Sequence, residues 1–293
     1  MFFPKIILLY ITALSESVLY QHLSSLPLPA DCTIESLSTL PPSMALSSSL
    51  SKEPYCSKAL LITDTVTWLN GEPLPVDRLP TLGIGTDGLF GIPYVFESLD
   101  SLDTDGISLV FCRFHHLPLT LLETKHLLLK EWAPEQAVEF QTLYRSFPPS
   151  DHLPPLPDDL DEVKQYLSDY QKGAYEFFGH GLWAVFHKET QSIIGQCGIE
   201  YKERDGIARY ELQYMITPSF QGKGLAFEIC SEVLSLARDF FYIEILHALI
   251  EPENTRSIAL IEKLGFQKID SIRADRKQVL VYEKICFPPK SSL

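Results

Sequence analysis

Nowhere in the 293 residues is there a Cys-x-x-Cys pair or a set of histidines at metal-ligand spacing, so the sequence offers no metal clip. The six cysteines, Cys32, Cys56, Cys112, Cys197, Cys230 and Cys286, are scattered and are expected to be reduced and mostly buried. His115-His116 does not change this, because consecutive side chains diverge on a helix or a strand. Basic charge is also scarce. With 24 Lys and Arg against 38 Asp and Glu, the formal net charge is −14, which argues against a nucleic-acid partner that would need a basic surface. That acidity suits a cationic partner, or simply solubility. The apolar run near the start (MFFPKIILLYITAL) falls far short of the ~20 residues of a membrane span. What is present is a composition 45% apolar, ample for a core, in a length that holds one large or two modest domains.

Two readings stand for residues 1 to 14: a secretory signal with its lone Lys5, or a buried strand, Lys5 to Ile11, feeding a helix from Ser15 to Leu26. The strand is the reading adopted. Residues 27 to 57, with Pro27, Pro29, Pro41, Pro42 and the serine-rich stretch 43 to 51, are expected to be a linker or long surface loop. Strand character returns over 58 to 69. Gly83-Ile84-Gly85-Thr86-Asp87-Gly88 spells the dinucleotide fingerprint, which works only if a helix opens at the last glycine. Gly91 and Pro93 occupy the first turns of any such helix, so a glycine turn between two strands is expected. A short helix over Asp103 to His115 follows, and a domain boundary is placed at 116/117.

From Leu121 the pattern firms. Pro134 to Phe147 and Asp158 to Gly173 read as helices, separated by a proline-rich run, 148 to 157, that is physically a stiff loop. Gly181 to Phe186 and Ser192 to Tyr201 read as a hairpin across 188 to 191. Arg209 to Ile216 alternates with period two and stops at Thr217-Pro218. Then comes Gln221-Gly222-Lys223-Gly224-Leu225-Ala226, and helical spacing begins with Leu225, Ile229, Val233 and Leu236. A strand, a glycine turn and a helix mouth leave backbone N–H groups uncovered and the positive dipole end exposed, which is an anion cradle. A second strand, Ile243 to Ile250, runs into Pro252-Glu253-Asn254-Thr255-Arg256-Ser257, and a short helix closes at Gly265.

In this order the residues resemble the GNAT superfamily of N-acetyltransferases, whose acetyl-CoA motif Gln/Arg-x-x-Gly-x-Gly/Ala is matched by Gln221, Gly224 and Ala226. Glu-Leu-x-Tyr-x-Ile-x-Pro before the loop, and Pro-Glu-Asn-x-x-Ser with Glu-Lys-x-Gly-Phe after it, look like the branch of the ribosomal-protein alanine N-acetyltransferases. The resemblance covers about residues 117 to 285. It implies an α/β GNAT fold over 117 to 293: a mixed, mostly antiparallel sheet with a splayed CoA-binding strand pair and flanking helices. Residues 1 to 116 are then a small α/β N-terminal domain, in which the stretch around 58 to 116 looks like an N-terminal extension of some bacterial members. The run from Leu121 to Trp132 is similar to the first strand of the branch, and the loop 148 to 157 would be a wall of the acceptor pocket.

The resemblance also implies acetyl-CoA as co-substrate, a primary amine as acceptor, and direct attack in a ternary complex; free cysteines and a CoA site favour the cytoplasm, and a monomer or homodimer without a nucleic-acid or membrane partner is expected. An unperturbed lysine-type amine has a pKa of about 10.4, so deprotonation near pH 7 costs roughly 4 to 5 kcal/mol and calls for a proton acceptor. Glu211, on the strand beside the loop, is the candidate, against the alternative of an edge-of-sheet salt bridge. Backbone N–H groups around Met215 and Ile216 would meet the thioester oxygen. Gly222, Lys223 and Leu225 complete the phosphate loop, and Asn254 would order the cofactor arm. The tyrosine that many members place on the last helix is missing between Asn254 and Gly265, so Ser257 is the candidate donor to the leaving thiolate, with a capping role as the alternative. A catalytically silent acyl-CoA-binding or protein-interaction module is the other reading of the whole.

Overall fold

The computed structural model describes residues 2–12, 14–37, 55–67, 73–147, 156–204, 207–274 and 277–287. Its contacts divide the chain into two compact units, Met1–Leu119 and Thr120–Leu293.

The first unit is a five-stranded parallel sheet in the order β2-β1-β3-β4-β5. Its strands are β1 (Ile6–Tyr10), β2 (Thr33–Ser36), β3 (Ala59–Thr63), β4 (Thr81–Ile84) and β5 (Tyr94–Phe96). This is the doubly wound order, whose direction reverses between β1 and β3. Parallel sheets are covered on both faces and so read as continuous apolar runs. β3 and β4 accordingly are buried end to end. Helices α1 (Glu16–Ser25) and α2 (Thr104–Phe114) set Leu19, Leu23, Ile107, Val110 and Phe111 against Ile7, Leu9, Leu60 and Ile62. Leu74 and Leu79 cover Leu8 and Leu61 on the other face. Asp64, just past β3, accepts from Thr12 N and Leu14 N, each at 2.7 Å, and ties the end of β1 to the end of β3.

Two expectations are corrected here. Thr33–Ser36, assigned to an irregular linker, is a strand because its backbone finds a partner in β1, with Ile6 opposite Thr33 and Leu9 opposite Ser36. Tyr55–Lys58 is likewise a helical turn, and the serine-rich stretch lies outside the described residues. The strand expected over 58 to 69 stops at Thr63. After Gly85, at φ 140°, and Gly88, at φ 78°, the chain turns into β5 without opening a helix, so the dinucleotide spelling lacks its helix.

The second unit is an eight-stranded sheet in the order β12-β13-β11-β10-β9-β8-β7-β6. The strands are β6 (Thr120–Glu123), β7 (Leu127–Lys130), β8 (Leu182–His187), β9 (Ile193–Arg204), β10 (Ile207–Ile216), β11 (Ile245–Ile250), β12 (Gln267–Ala274) and β13 (Lys277–Ile285). All neighbours are antiparallel except β10 and β11. The run from Leu121 to Trp132, expected as one strand, is the hairpin β6–β7, because Thr124 N returns to Leu127 O at 2.9 Å.

Helices α3 (Ala137–Arg145) and α4 (Leu160–Tyr170) cover one face through Phe140, Leu143, Val163 and Leu167 on Trp132 and Ala184. α4 continues past Gly173 as π-helical turns, Gln171–Phe178, that end at Gly179 in the left-handed region. The prolines 148 to 155 lie outside the described residues. α5 (Leu225–Asp239) covers the other face, burying Leu225, Ile229, Cys230, Val233, Leu234 and Ala237, and Ile261 of α6 (Thr255–Lys263) joins the same cluster. No helix among the described residues is long and apolar enough to cross a membrane.

Candidate active site

Strands β10 and β11 run parallel and share one register pair, Glu211 opposite His247. β10 stays paired to β9 up to Ile216 opposite Gly195, so its other edge is open beyond Glu211. Backbone polar groups along an open edge demand partners, which a ligand can supply. Thr217 N donates to Ile194 O at 2.7 Å, so alternate residues of β10, Met215 among them, turn their N–H groups toward β9. Ile216 turns the other way: its carbonyl accepts from Gln221 Nε2 at 2.8 Å, and its N–H shares that open side.

Gln221 is fixed at both ends of its amide, since its Oε1 accepts from Arg256 Nη1 at 3.0 Å. Gly222 and Gly224 follow at φ 74° and 82°. L side chains are disfavoured there, and a Cβ built at either position meets only open space. Gly224 is the N-cap of α5 and offers no side chain to its first turn, so the N–H groups that open the helix are left to whatever lies before them. Positive φ, open space and an uncapped 15-residue helix fit a pyrophosphate. Lys223 lies over the Phe220 ring at 4.7 Å beside it. Leu225 is buried and Ala226 half-buried.

One carboxylate in the first turn of α5 is not free for the loop. Glu228 accepts from His126 N at 2.9 Å and from His126 Nδ1 at 2.7 Å, and from the Thr124 hydroxyl, which pins the β6–β7 turn to α5. Burial works to raise the Glu228 pKa, but these bonds outweigh it and hold the carboxyl below its usual range.

Asn254 caps α6, its Oδ1 accepting from Ser257 N at 3.1 Å. Ser257 is therefore the residue capped and not the cap. Its carbonyl accepts from Tyr214 Oη at 3.3 Å. Burial pushes the Tyr214 phenol well above its ordinary range. No tyrosine stands on α6, yet β10 delivers this hydroxyl to the first turn of that helix.

Glu211 is 3% exposed, on a strand with neighbours on both sides. Residues opposite one another in a sheet point to the same face. Glu211 thus belongs to a row that crosses four strands, with Glu200 opposite it on β9, His247 on β11 and Glu283 beyond on β13. Glu200 is held by Lys202 at 2.8 Å and by Tyr170 Oη at 3.0 Å. His247 Nε2 stands 3.3 Å from Glu283 Oε2. Burial lowers the His247 pKa, with Glu283 and Glu211 opposing and Arg209 assisting.

His247 and Arg256 were given no role from the sequence, and Tyr214 was read only as part of Glu-Leu-x-Tyr-x-Ile-x-Pro. His247 had a signal: in Ile-Leu-His-Ala-Leu-Ile it breaks an apolar strand at a position out of phase with the buried Leu246, Ala248 and Ile250.

Residues 126–267 match the acetyltransferase (GNAT) domain family. Protein YkkB of Bacillus subtilis (strain 168) is 32% identical over 126 residues, 43% of this chain and 73% of that protein. The chain belongs to the GNAT acetyltransferases. It is accordingly an acyltransferase enzyme. The [ribosomal protein uS5]-alanine N-acetyltransferase of Escherichia coli (strain K12) is 29% identical over 99 residues, 34% of this chain and 48% of that enzyme. The solved structure of a Bordetella pertussis protein assigned to the GNAT family superposes with a TM-score of 0.50 at 20% identity, over 56% of this chain and 98% of that one, and shares its fold. GNAT acetyltransferases transfer acetyl from acetyl-CoA, which is the chemistry the family implies for this chain.

Proposed function

We propose that the second unit transfers acetyl from acetyl-CoA to a primary amine by direct attack in a ternary complex. The observation that carries this reading is the loop Gln221 to Ala226, with two left-handed glycines before an uncapped helix, at the place where β10 and β11 part. The thioester supplies an activated acetyl group, and the chain's own residues do the rest. Backbone N–H groups of 222 to 226 bind pyrophosphate, with Lys223 beside them and Gln221 holding the loop to Ile216. Of the two backbone donors expected, Met215 and Ile216, the N–H of Ile216 is the one turned to the open side and would donate to the acetyl carbonyl oxygen. Asn254 sets the first turn of α6, and the Ser257 hydroxyl would donate to the departing sulfur, with Tyr214 in reach of the same turn.

Glu211 takes the amine proton. Its burial among Glu200, His247 and Glu283 makes this face attractive to an ammonium group. Small-molecule amines and protein N-termini both satisfy that chemistry, and the uS5 relative, which acetylates an alanine of a ribosomal protein, favours including N-terminal peptides. Five described cysteines are free, which suits a cytoplasmic enzyme.

Thiol release from acetyl-CoA across a panel of polyamines, amino acids, drug amines and N-terminal peptides tests the reading. At least one acceptor should support turnover, and Glu211→Gln should lower that rate about 10² to 10⁴-fold at pH 7. The deficit should shrink toward the amine's own pKa, where the acceptor arrives neutral. No turnover with any acceptor, together with tight CoA binding, would favour a catalytically silent acyl-CoA-binding module instead.

A further inference from the structure

Acetylating an ammonium group strips two protons from nitrogen: one ends on the thiol, and the other must leave the protein. Glu211, 3% exposed, cannot hand its proton directly to water while an acceptor covers it. We propose that His247 and Glu283 form the exit path for that proton, with His247 as the relay and Glu283 as the group that orients it. The proposal rests on Glu211 being the proton acceptor.

Four observations converge. His247 is the register partner of Glu211 on the adjoining strand and shares its face; neighbouring strands lie about 4.8 Å apart. His247 Nε2 is 3.3 Å from Glu283 Oε2, so in the neutral ring Nε2 carries the hydrogen and Nδ1 carries the lone pair. That Nδ1 is buried and has no hydrogen-bond partner, a state folded proteins seldom leave without reason. Exposure then rises along the row, from 3% at Glu211 to 14% for the His247 side chain and 29% for that of Glu283.

The electrostatics suit a carrier. Burial and Arg209 depress the His247 pKa, while Glu283 and Glu211 raise it, so the ring rests neutral near pH 7 and its cation meets carboxylates on both sides. Arg209 and Glu211 face it from β10 and Glu283 from β13; Glu200 and Lys202 lie one strand further, on β9.

The transfer balances. Because Nδ1 has no direct partner at rest, the proton crosses through one water: the O–H bond of protonated Glu211 breaks as that water is protonated and the water's own proton forms Nδ1–H, restoring the carboxylate. The imidazolium then releases its Nε2 proton to Glu283 and so to water. Once the product departs and water reaches the uncovered face, Nδ1–H gives its proton to that water as Nε2 regains one from the solvent side, which returns the ring to its Nε2–H tautomer before the next turnover.

Turnover of the full-length enzyme and its Glu211→Gln, His247→Ala and Glu283→Gln variants, with imidazole and other small bases added, tests this. His247→Ala should lower kcat about 10 to 10²-fold with the KM for acetyl-CoA unchanged, and added bases should restore rate in order of their pKa. Glu283→Gln should move the acid limb of the kcat profile to lower pH, since the ring loses the carboxylate that raises its pKa. A His247→Ala deficit that no base relieves overturns the relay, as does wild-type kcat in that variant beside a collapse in Glu211→Gln. Wild-type turnover in Glu211→Gln removes instead the base on which the relay depends. Should His247→Ala fail to fold, an unmoved acid limb in Glu283→Gln overturns the relay by itself.

Discussion

The two units bury their sheets in opposite ways. Among the described residues, the polar side chains buried in the first unit are the hydroxyls of Thr63, Thr81 and Ser108. The second buries Glu131, Gln141, Gln171, His180, Gln196 and Glu211. A buried polar group costs stability unless it is satisfied, so this asymmetry marks where the molecule trades packing for chemistry. A parallel sheet covered on both faces has room for polar groups mainly at its strand ends, where Asp64 sits. An antiparallel sheet that opens between β10 and β11 can carry a charged row across its middle.

Glycine contacts give the largest predicted break in that comparison. A Cβ at Gly198 would stand 1.9 Å from the backbone oxygen of Gly181, whereas at Gly106 it would meet the tip of the Phe96 ring at 2.6 Å. Gly198→Ala should therefore cost about 3 kcal/mol or more, by forcing β8 and β9 apart, and Gly106→Ala distinctly less, because a ring can rotate away. Thermal melts of the two variants compare them directly; equal losses would show that β8–β9 yields as readily as a side chain.

Next in size is Leu60→Ala, which empties a fully buried position on β3 in the cluster shared with α1 and α2 and should cost about 2 to 5 kcal/mol in urea unfolding. Asn254→Ala removes the α6 cap and should cost about 1 kcal/mol.

The smallest effect is acid sensitivity from His180. Its burial lowers its pKa, opposed by its bond to Ile199 O and by Glu200. The folded state thus keeps this ring neutral where the unfolded chain, near 6.5, takes up a proton. Stability from this group is complete above about pH 6.5 and is lost as pH falls below it. Urea midpoints at pH 7.5 and 5.5 should differ more in the wild type than in His180→Gln; an equal difference would assign the slope elsewhere.

Legibility in the sequence followed the same division. In the second unit, period-two alternation in β10 and helical spacing in α5 sit either side of the glycine loop, so strand, turn and helix were readable from local pattern. β2 was not readable: Thr33–Ser36 is a strand only because β1 lies beside it, a long-range pairing that its flanking prolines conceal. The hairpin at Thr124–His126 was hidden likewise, because the turn is held by Glu228, a hundred residues away in the chain. Glu211 was singled out from its place beside the loop. The row it belongs to depends on the register of four strands, which no local pattern contains.

Calorimetric titration of CoA into the wild type and Gly224→Asp tests the assignment of the cradle most directly. The variant adds a carboxylate in open space, so its fold should survive while a like charge meets the phosphates. The expected result is saturable binding by the wild type and loss of most of that affinity in the folded variant. Equal CoA affinity in both would contradict a phosphate cradle at 221 to 226.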